Sequence, residues 1–276
     1  MSRVTRAAMA ILAHWAARWL ATYPILPRQV WRYRRVLAGL VTRDFLTRTQ
    51  STLLGVSWLV LQPALQVLAI WFLFSVILGI HATGRGRFID YFLLGFIVWN
   101  MGNEALVRGA SVFREFASLY QRSMFPLSIL PLVPITEAAI VHLPVFVLTM
   151  MFLHGPQAAP AALAYFAIFA LWLVPLVILV ALMGHYIREV TQVLPFVMTF
   201  LMYVSPILYT PEQVPESMRW LISLNPLADL VALGHWAVEG AALGFETPIR
   251  LMLGWLMLMP VATVLFRRLE PHLREL

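Results

Sequence analysis

The feature that most constrains this chain is an uncharged, largely apolar run at Val56–Ile80. About 20 apolar residues in one helix are enough to cross a bilayer, so the segment Trp58–Leu78 is long enough to span. The segment before this run is charged, because it carries Arg43, Asp44 and Arg48. Together the two segments predict a membrane span with a basic region on one side.

The composition extends this prediction to the whole chain. Of the 276 residues, 61% are hydrophobic and only 12% are charged, and the mean hydropathy is +0.80. These values are typical of a polytopic membrane protein and exclude a soluble enzyme. The chain has no cysteine, and all 20 of its basic residues are arginine. It therefore lacks both a thiolate metal site and the lysine of a phosphate-binding loop, so we expect no cofactor in this chain.

Positive charge is concentrated near the N-terminus. The first fifty residues contain many arginines but only one acidic residue, Asp44. Before a first span, this bias predicts a cytoplasmic N-terminus beside anionic lipid headgroups, and we expect no nucleic-acid partner. Residues 1–28 are predicted to form a cytoplasmic extension. Residues 29–276 are predicted to form one transmembrane domain.

Residues 29–47 have the pattern of an amphipathic helix. One face is apolar and is formed by Tyr33, Val36, Leu37, Leu40 and Val41. Arg32, Arg35 and Arg43 lie toward the other face. A basic amphipathic helix beside a span is typical of the membrane interface. It is either a docking surface for a cytoplasmic partner or a solvated helix without one.

Hydropathy predicts an all-α fold with six spans, at about 57–80, 88–107, 127–153, 161–183, 193–208 and 250–266. Both termini are then cytoplasmic. The third span is expected to be kinked or broken, because it contains Pro131, Pro134 and Pro144. Glu137 and His142 lie inside it, either as functional groups or as helix-to-helix hydrogen-bonding groups.

The loop between the last two predicted spans contains two short apolar segments, within residues 215–240, separated by Asn225 and Pro226. Each segment is too short to cross a membrane. A re-entrant pair of helices is predicted, because irregular backbone is tolerated where protein or a wet cavity shields it. The alternative is a helical hairpin lying on the headgroups.

Three stretches resemble the permease subunits of bacterial ABC exporters for lipid-linked polysaccharides, which move O-antigen, capsule or teichoic acid. The first is RTQSTLLGVSWLVLQP at Arg48–Pro63, and the second is LYQRSMFPLSILP at Leu119–Pro131. The third and most specific is SPILYTPEQVPESMRWLISLNPLADLVALGHWAVEG at Ser205–Gly240. With the order of spans, the resemblance covers most of the chain after about residue 30.

The resemblance implies a homodimer in the bacterial inner membrane that works with two copies of a separate nucleotide-binding subunit. That ATPase subunit, not this chain, would bind ATP and Mg²⁺. Residues 29–47 would be the interface helix, and residues 113–122 a coupling helix that contacts the ATPase. The residues implied in that contact are Arg32, Arg35, Phe113, Arg114, Leu119 and Arg122. The short helices would form an outer gate with Pro215, Glu216, Arg219, Asn225 and Pro226.

The implied cargo combines an anionic lipid diphosphate with a hydrated glycan. Arg43 and Arg48 are the candidates to attract the diphosphate, although arginines at this position also bind membrane lipids. Sugars present apolar faces as well as hydroxyl groups, so aromatic and carboxamide side chains are the candidates for the channel lining: Trp58, Gln62, Gln66, Trp71, Tyr91, Trp99 and Tyr203. Packing between helices or at the membrane interface is the alternative for each.

Two other functions compete with this interpretation. An ion-driven secondary transporter would use ionisable groups such as Glu137 and His142 at mid-membrane. A membrane-embedded glycosyl or acyl transferase would need catalytic groups, but the chain contains neither HExxH nor GxSxG. Transport that needs a proton gradient, or turnover by the purified chain, would distinguish these functions from ATP-driven export.

Overall fold

The computed structural model describes residues 25–49, 53–77, 88–120 and 125–274, and these residues form helices and connecting turns with no strand. The predicted all-helical class is therefore confirmed. Most of the predicted N-terminal extension, residues 1–24, lies outside the described residues.

Eleven α-helices are described, and we number them in chain order. They are α1 (Ile25–Thr49), α2 (Ser57–Trp71), α3 (Phe88–Gly109), α4 (Val112–Glu115), α5 (Ala117–Tyr120), α6 (Leu132–His154), α7 (Ala159–Tyr186), α8 (Val190–Val204), α9 (Arg219–Ser223), α10 (Pro226–Glu239) and α11 (Glu246–Leu273). A π-helical segment, Phe72–Ile77, continues α2. Short 3₁₀ turns precede α6, α7 and α9.

The core of the bundle lies between α3, α6 and α7, which pack against one another, while α11 packs against α7 and α10. Large aromatic side chains fill this core, including Phe146, Tyr165 and Phe169, each with 2% or less of its surface exposed. The Tyr165 hydroxyl donates to the Leu230 carbonyl at 3.1 Å, which satisfies the one polar atom that this ring buries.

The bundle has two ends that are distinguished by their contacts. At one end, which we call the Arg108 end, Arg274 donates to the Phe125 carbonyl at 2.8 Å. At the other, which we call the His235 end, His154 Nε2 lies 4.0 Å from Glu239 Oε1. His154 is the last residue of α6 and Glu239 is the last residue of α10, so both helices end at the His235 end.

Two helices expose most of their apolar surface. Only 6% of the Ser57–Phe74 window is buried, against 50% for the Pro156–Tyr186 window. On α8, Phe196 is 77% exposed and Phe200 is 63% exposed. Apolar surface of this extent is favourable only against lipid or another apolar protein surface.

The amphipathic pattern of residues 29–47 corresponds to α1, which extends two residues beyond it to Thr49. On the predicted apolar face, Leu40 and Val41 are buried and Phe45 continues the buried surface, whereas Val36 is 37% exposed. Arg32 and Arg35 are exposed. The helix has a kink at Tyr33, where φ is −105° and ψ is 16°.

The predicted third span, 127–153, consists of a 3₁₀ turn at Leu127–Ile129 and helix α6, which begins after Pro131 and continues through Pro144. Proline at a helix start loses no hydrogen bond, so Pro131 is compatible with this boundary. The coupling helix predicted at 113–122 differs from the structure, because its described part forms two short helices, α4 and α5, with the break at Phe116.

Glycine allows close contact between helices at two positions. A Cβ atom on Gly184 of α7 would lie 2.0 Å from the Ala110 carbonyl oxygen, and one on Gly234 of α10 would lie 2.6 Å from the Tyr165 ring. Neither contact is sterically allowed, so these positions hold α7 and α10 closer to their neighbours than any other residue would permit.

Among the described residues, four helical segments are long and apolar enough to cross a membrane: Ser57–Phe74, Leu127–His154, Pro156–Tyr186 and Glu246–Leu273. Helix α8, at Val190–Val204, is apolar but short. The segments Glu216–Ser223 and Pro226–Glu239 are bent by 92° at Asn225. The chain thus has the character of a multi-pass membrane protein.

Candidate functional site

Several charged side chains meet around Arg108, near the end of α3. Its Nη2 atom donates to Asp44 Oδ2 of α1 at 2.6 Å, and its Nη1 atom donates to Glu137 Oε2 of α6. Hydrogen bonds between charged groups are the stronger class in proteins. Arg108 therefore ties the amphipathic helix α1 to two helices of the core.

Glu104, one turn before Arg108, extends this cluster. Its carboxylate lies 3.4 Å from Arg48 Nη2 and 3.1 Å from His142 Nε2. Arg48 also approaches Asp44, at 4.0 Å. We call the six residues the Arg108 network: Asp44, Arg48, Glu104, Arg108, Glu137 and His142.

The network is partly buried and has no spare positive charge. The Glu137 side chain is 0% exposed and that of Arg108 is 20% exposed. Three carboxylates face two guanidinium groups, so the formal charge is −1 when His142 is neutral. Glu137 Oε1 and His142 Nδ1 are buried without a hydrogen-bond partner among the described residues. Both arginines are therefore already compensated within the chain.

A polar cavity of about 310 Å³ adjoins the network, between α2, α3 and α6. Four carboxamide side chains line it: Gln62, Gln66, Asn100 and Asn103. Arg48, Glu104, Arg108 and His142 contribute charged or titratable groups to the same wall. The structure thus brings the predicted pair Gln62 and Gln66 together with Arg48, but it leaves Arg43 exposed and outside the network.

The predicted ATPase-contacting residues on α4 and α5 differ in exposure. Phe113 is 1% exposed and stacks on Phe266 with ring centroids 6.2 Å apart. Its side chain therefore belongs to the core and is not available to a partner, whereas Arg114 and Leu119 are partly exposed. Arg122 lies outside the described residues.

Tyr120 stabilises the short helices from inside. Burial raises the pKa of its phenol, and its hydroxyl donates to the Phe113 carbonyl at 3.0 Å. The neutral, hydrogen-bonded phenol therefore ties the end of α5 to α4.

The aromatic candidates for a channel lining are not on one surface. Trp99 is 5% exposed and packs in the core, so its ring is unavailable to a channel. Tyr91 stacks on His235 with ring centroids 3.8 Å apart. Trp58 and Tyr203 are 39% and 58% exposed. Trp71 lines an apolar groove of about 300 Å³ between α2 and α6.

The predicted gate region lies at the His235 end. Asn225 is buried and caps α10 by accepting from the Leu227 backbone N–H at 3.0 Å, while its Nδ2 donates to Ser205 Oγ at 2.8 Å. Pro215, Glu216, Arg219 and Pro226 are exposed.

Two further polar contacts involve α10. Arg250 of α11 donates to both carboxylate oxygens of Asp229, at 2.6 and 2.9 Å. His235 Nδ1 lies 2.9 Å from Glu239 Oε2. Bidentate pairing of arginine with a carboxylate has a defined geometry, so it sets the angle between α10 and α11.

Sequence reasoning identified Glu137 and His142 but missed the residues that bind them. A signal was present, because Asp44 with Arg48 and Glu104 with Arg108 are opposite charges four residues apart in helical segments. The spacing marks a charged face on each helix. It does not reveal that the two faces meet.

The fold and this network define a class: a multi-pass helical membrane protein with a charged network and a polar cavity between its helices. The sequence profile of one family, described as ABC-2 type transporter, matches residues 35–233. Because the match covers more than half of the chain, the protein belongs to the ABC-2 type transporter family. The expectation of an ABC transporter membrane component, rather than an enzyme, is thereby confirmed.

Similar proteins include two O-antigen export system permease proteins RfbA from Klebsiella pneumoniae. One is 21% identical over 248 residues, which are 87% of this chain and 94% of the relative. The other is 20% identical over 247 residues, with the same coverage. An O-antigen export system permease protein RfbA from Myxococcus xanthus is 25% identical over 222 residues, or 75% of this chain and 81% of the relative.

Proposed function

We propose that this chain is the permease subunit of an ATP-driven exporter that moves lipid-linked polysaccharide from the cytoplasmic side across the bacterial inner membrane. The observation that carries the proposal is the alignment with an O-antigen export permease over 94% of that relative's length. The family membership and the apolar helices are consistent with it.

We also propose six crossings, with both termini cytoplasmic and the Arg108 end facing the cytoplasm. The short helices α9 and α10 then form a re-entrant pair at the outer face, where Pro215, Glu216, Arg219, Asn225 and Pro226 act as a gate. The 92° bend between these helices supports this layout. The exposed apolar faces of α2 and α8 are consistent with a homodimer embedded in lipid.

In this proposal the free energy for transport comes from ATP hydrolysis by two copies of a separate ATPase subunit, which bind ATP and Mg²⁺. Their contact surface is formed by Arg32 and Arg35 on α1, with Arg114 and Leu119 on the short helices. Helix α1 is joined to α3 and α6 through the Arg108 network. A displacement of α1 by the ATPase is therefore transmitted to the core as a rigid-body movement.

The cargo would be recognised first at the cytoplasmic interface. Arg43 is exposed and free of the network, which makes it the stronger candidate for attracting a lipid diphosphate. Arg48 is bound to Glu104 and Asp44, so its contribution requires that these pairs open. Trp58, Trp71, Tyr91 and Tyr203 remain proposed surfaces for sugar rings.

The proposal is tested by deleting the gene and measuring polysaccharide at the cell surface. We expect export to stop and lipid-linked glycan to accumulate inside. Export should return when the chain is expressed with its ATPase partner, and not when that partner cannot hydrolyse ATP. Export that needs a proton gradient and no ATPase would refute the proposal.

The coupling surface is tested by reversing one charge. We expect Arg114→Glu to abolish stimulation of the ATPase by cargo while the protein still inserts in the membrane. Arg188→Glu is the matched control, because Arg188 is an exposed arginine on the turn between α7 and α8. Wild-type export by Arg114→Glu, with the ATPase still bound, would remove α4 from the proposed coupling surface.

A further inference from the structure

Four carboxamide side chains line the cavity beside the Arg108 network. Gln62 and Gln66 are four residues apart on α2, and Asn100 and Asn103 are three apart on α3. Residues at these spacings share one face of a helix, so two polar faces line one space. None of the four side chains makes a hydrogen bond to the part of the chain that the structure describes.

Gln62 and Gln66 are exposed and Asn100 and Asn103 are half-buried, so all four carboxamides are accessible to a polar ligand. Each carboxamide offers two donor hydrogens and a carbonyl acceptor. Within a membrane, a polar group that no protein group satisfies is costly, unless water or a ligand occupies the space beside it. The cavity wall can therefore form hydrogen bonds to a polar ligand, and its carboxamides are not engaged in hydrogen bonds with the described residues.

The charge of the wall decides which ligand fits. Arg48 and Arg108 are compensated by three carboxylates, and Glu104, 22% exposed, adds an acceptor at the cavity surface. A phosphate or diphosphate would meet this carboxylate without a spare cation to offset it. A neutral ligand rich in hydroxyl groups would donate to Glu104 and exchange hydrogen bonds with the carboxamides.

The size and the apolar part of the wall favour one sugar ring. The cavity volume of about 310 Å³ lies at the lower end of the range for small-molecule sites, roughly 300–1,000 Å³. Leu59, Val107 and Val141 line it between the polar groups. These side chains suit the C–H face of a pyranose while the carboxamides bind its hydroxyl groups.

We propose that this cavity is a subsite for a single neutral pyranose of the glycan, on the cytoplasmic side of the transport route. The inference rests on the proposed export function for the biological ligand. Sugar binding is measurable without transport, however, so the two can fail separately.

A cysteine-protection experiment tests the subsite. Because the chain contains no cysteine, Asn103→Cys introduces a unique thiol into this subunit of the transporter in lipid nanodiscs. The labelling rate with a small polar thiol reagent is measured with methyl α-D-mannopyranoside, methyl α-D-glucopyranoside or methyl α-D-galactopyranoside. Ser223→Cys is the control, because Ser223 lines a separate cavity of about 400 Å³ at the His235 end.

We expect at least one glycoside to slow labelling of Asn103→Cys about threefold at twice its dissociation constant, because the free fraction is 1/(1 + [L]/Kd). Sorbitol should have no effect, and Ser223→Cys should label at an unchanged rate. Protection by pyrophosphate but not by glycosides would overturn the proposal in favour of an anion site. Equal labelling with and without every glycoside would overturn it as well.

A second variant separates binding from folding. Gln62→Leu with Gln66→Leu removes two carboxamides at similar volume, and we expect export to fall about tenfold, since each lost hydrogen bond contributes about 0.5–1.5 kcal/mol. Thermal stability should stay unchanged or rise, because neither carboxamide has a hydrogen-bond partner among the described residues. A loss of stability with normal export would show a structural role and contradict the proposal.

If deletion of the chain leaves export intact while glycosides still protect Asn103→Cys, the export function fails and the subsite stands.

Discussion

Replacing Arg108 with glutamine should destabilise the protein more than loss of an ordinary ion pair. Glutamine keeps hydrogen-bonding capacity but removes the cation that contacts both Asp44 and Glu137. The Glu137 side chain is 0% exposed, and one of its oxygens already lacks a hydrogen-bond partner among the described residues. The variant therefore leaves a buried carboxylate without compensation.

The magnitude follows from this burial. Breaking a buried pair by removing one partner costs about 3–5 kcal/mol in free energy of unfolding. The control is Arg219→Gln, because Arg219 also lies near a carboxylate, 3.7 Å from Glu216, but the two side chains are 51% and 89% exposed. Loss of an exposed pair costs about 0–1 kcal/mol.

The measurement is equilibrium unfolding in mixed micelles with increasing dodecyl sulfate, followed by tryptophan fluorescence. A double variant, Arg108→Leu with Glu137→Leu, should recover most of the loss, because replacing a buried pair by apolar residues is close to neutral. The reasoning is refuted if Arg108→Gln behaves like Arg219→Gln. It is refuted equally if the double variant is as unstable as the single one.

Two further predictions concern packing and capping. Gly184→Ala should lower the free energy of unfolding by about 1–3 kcal/mol, because the new Cβ would overlap the Ala110 carbonyl. The control is Gly39→Ala, because a Cβ at Gly39 has nothing within 4 Å. This control should stabilise α1 by up to about 1 kcal/mol in the same assay. Asn225→Ala should cost about 1 kcal/mol by removing the cap of α10 and should speed hydrogen exchange at its first turn. Unchanged exchange there would mean that the bond to Ser205 and the cap are dispensable.

The sequence predicted the parts of the fold that hydropathy controls. Long apolar segments are costly in water and favourable in lipid, so α2, α6, α7 and α11 follow from composition and length alone. The break before Pro226 was also predictable, because proline restricts the residue before it to extended backbone. Asn225 accordingly has φ −94° and ψ 106°.

The contacts between helices were not predictable in this way. Arg108 lies in the last turn of α3, and nothing in the neighbouring sequence indicates that Asp44, 64 residues earlier, is its partner. The burial of Phe113 depends on the end of α11, which is distant in sequence. Both contacts are properties of the folded bundle and not of any local segment.

In the proposed exporter, the ATPase contact and the cargo contact lie beside the same charged network. Helix α1, whose exposed Arg32 and Arg35 are proposed to contact the ATPase, is joined to α3 and α6 through Arg108. The carboxamide cavity lies beside this network, between α2, α3 and α6. Among the described residues, no hydrogen bond or ion pair joins Arg108 to α2. We therefore expect a displacement of α1 to move α3 and α6 relative to α2 and so to change the volume of the cavity.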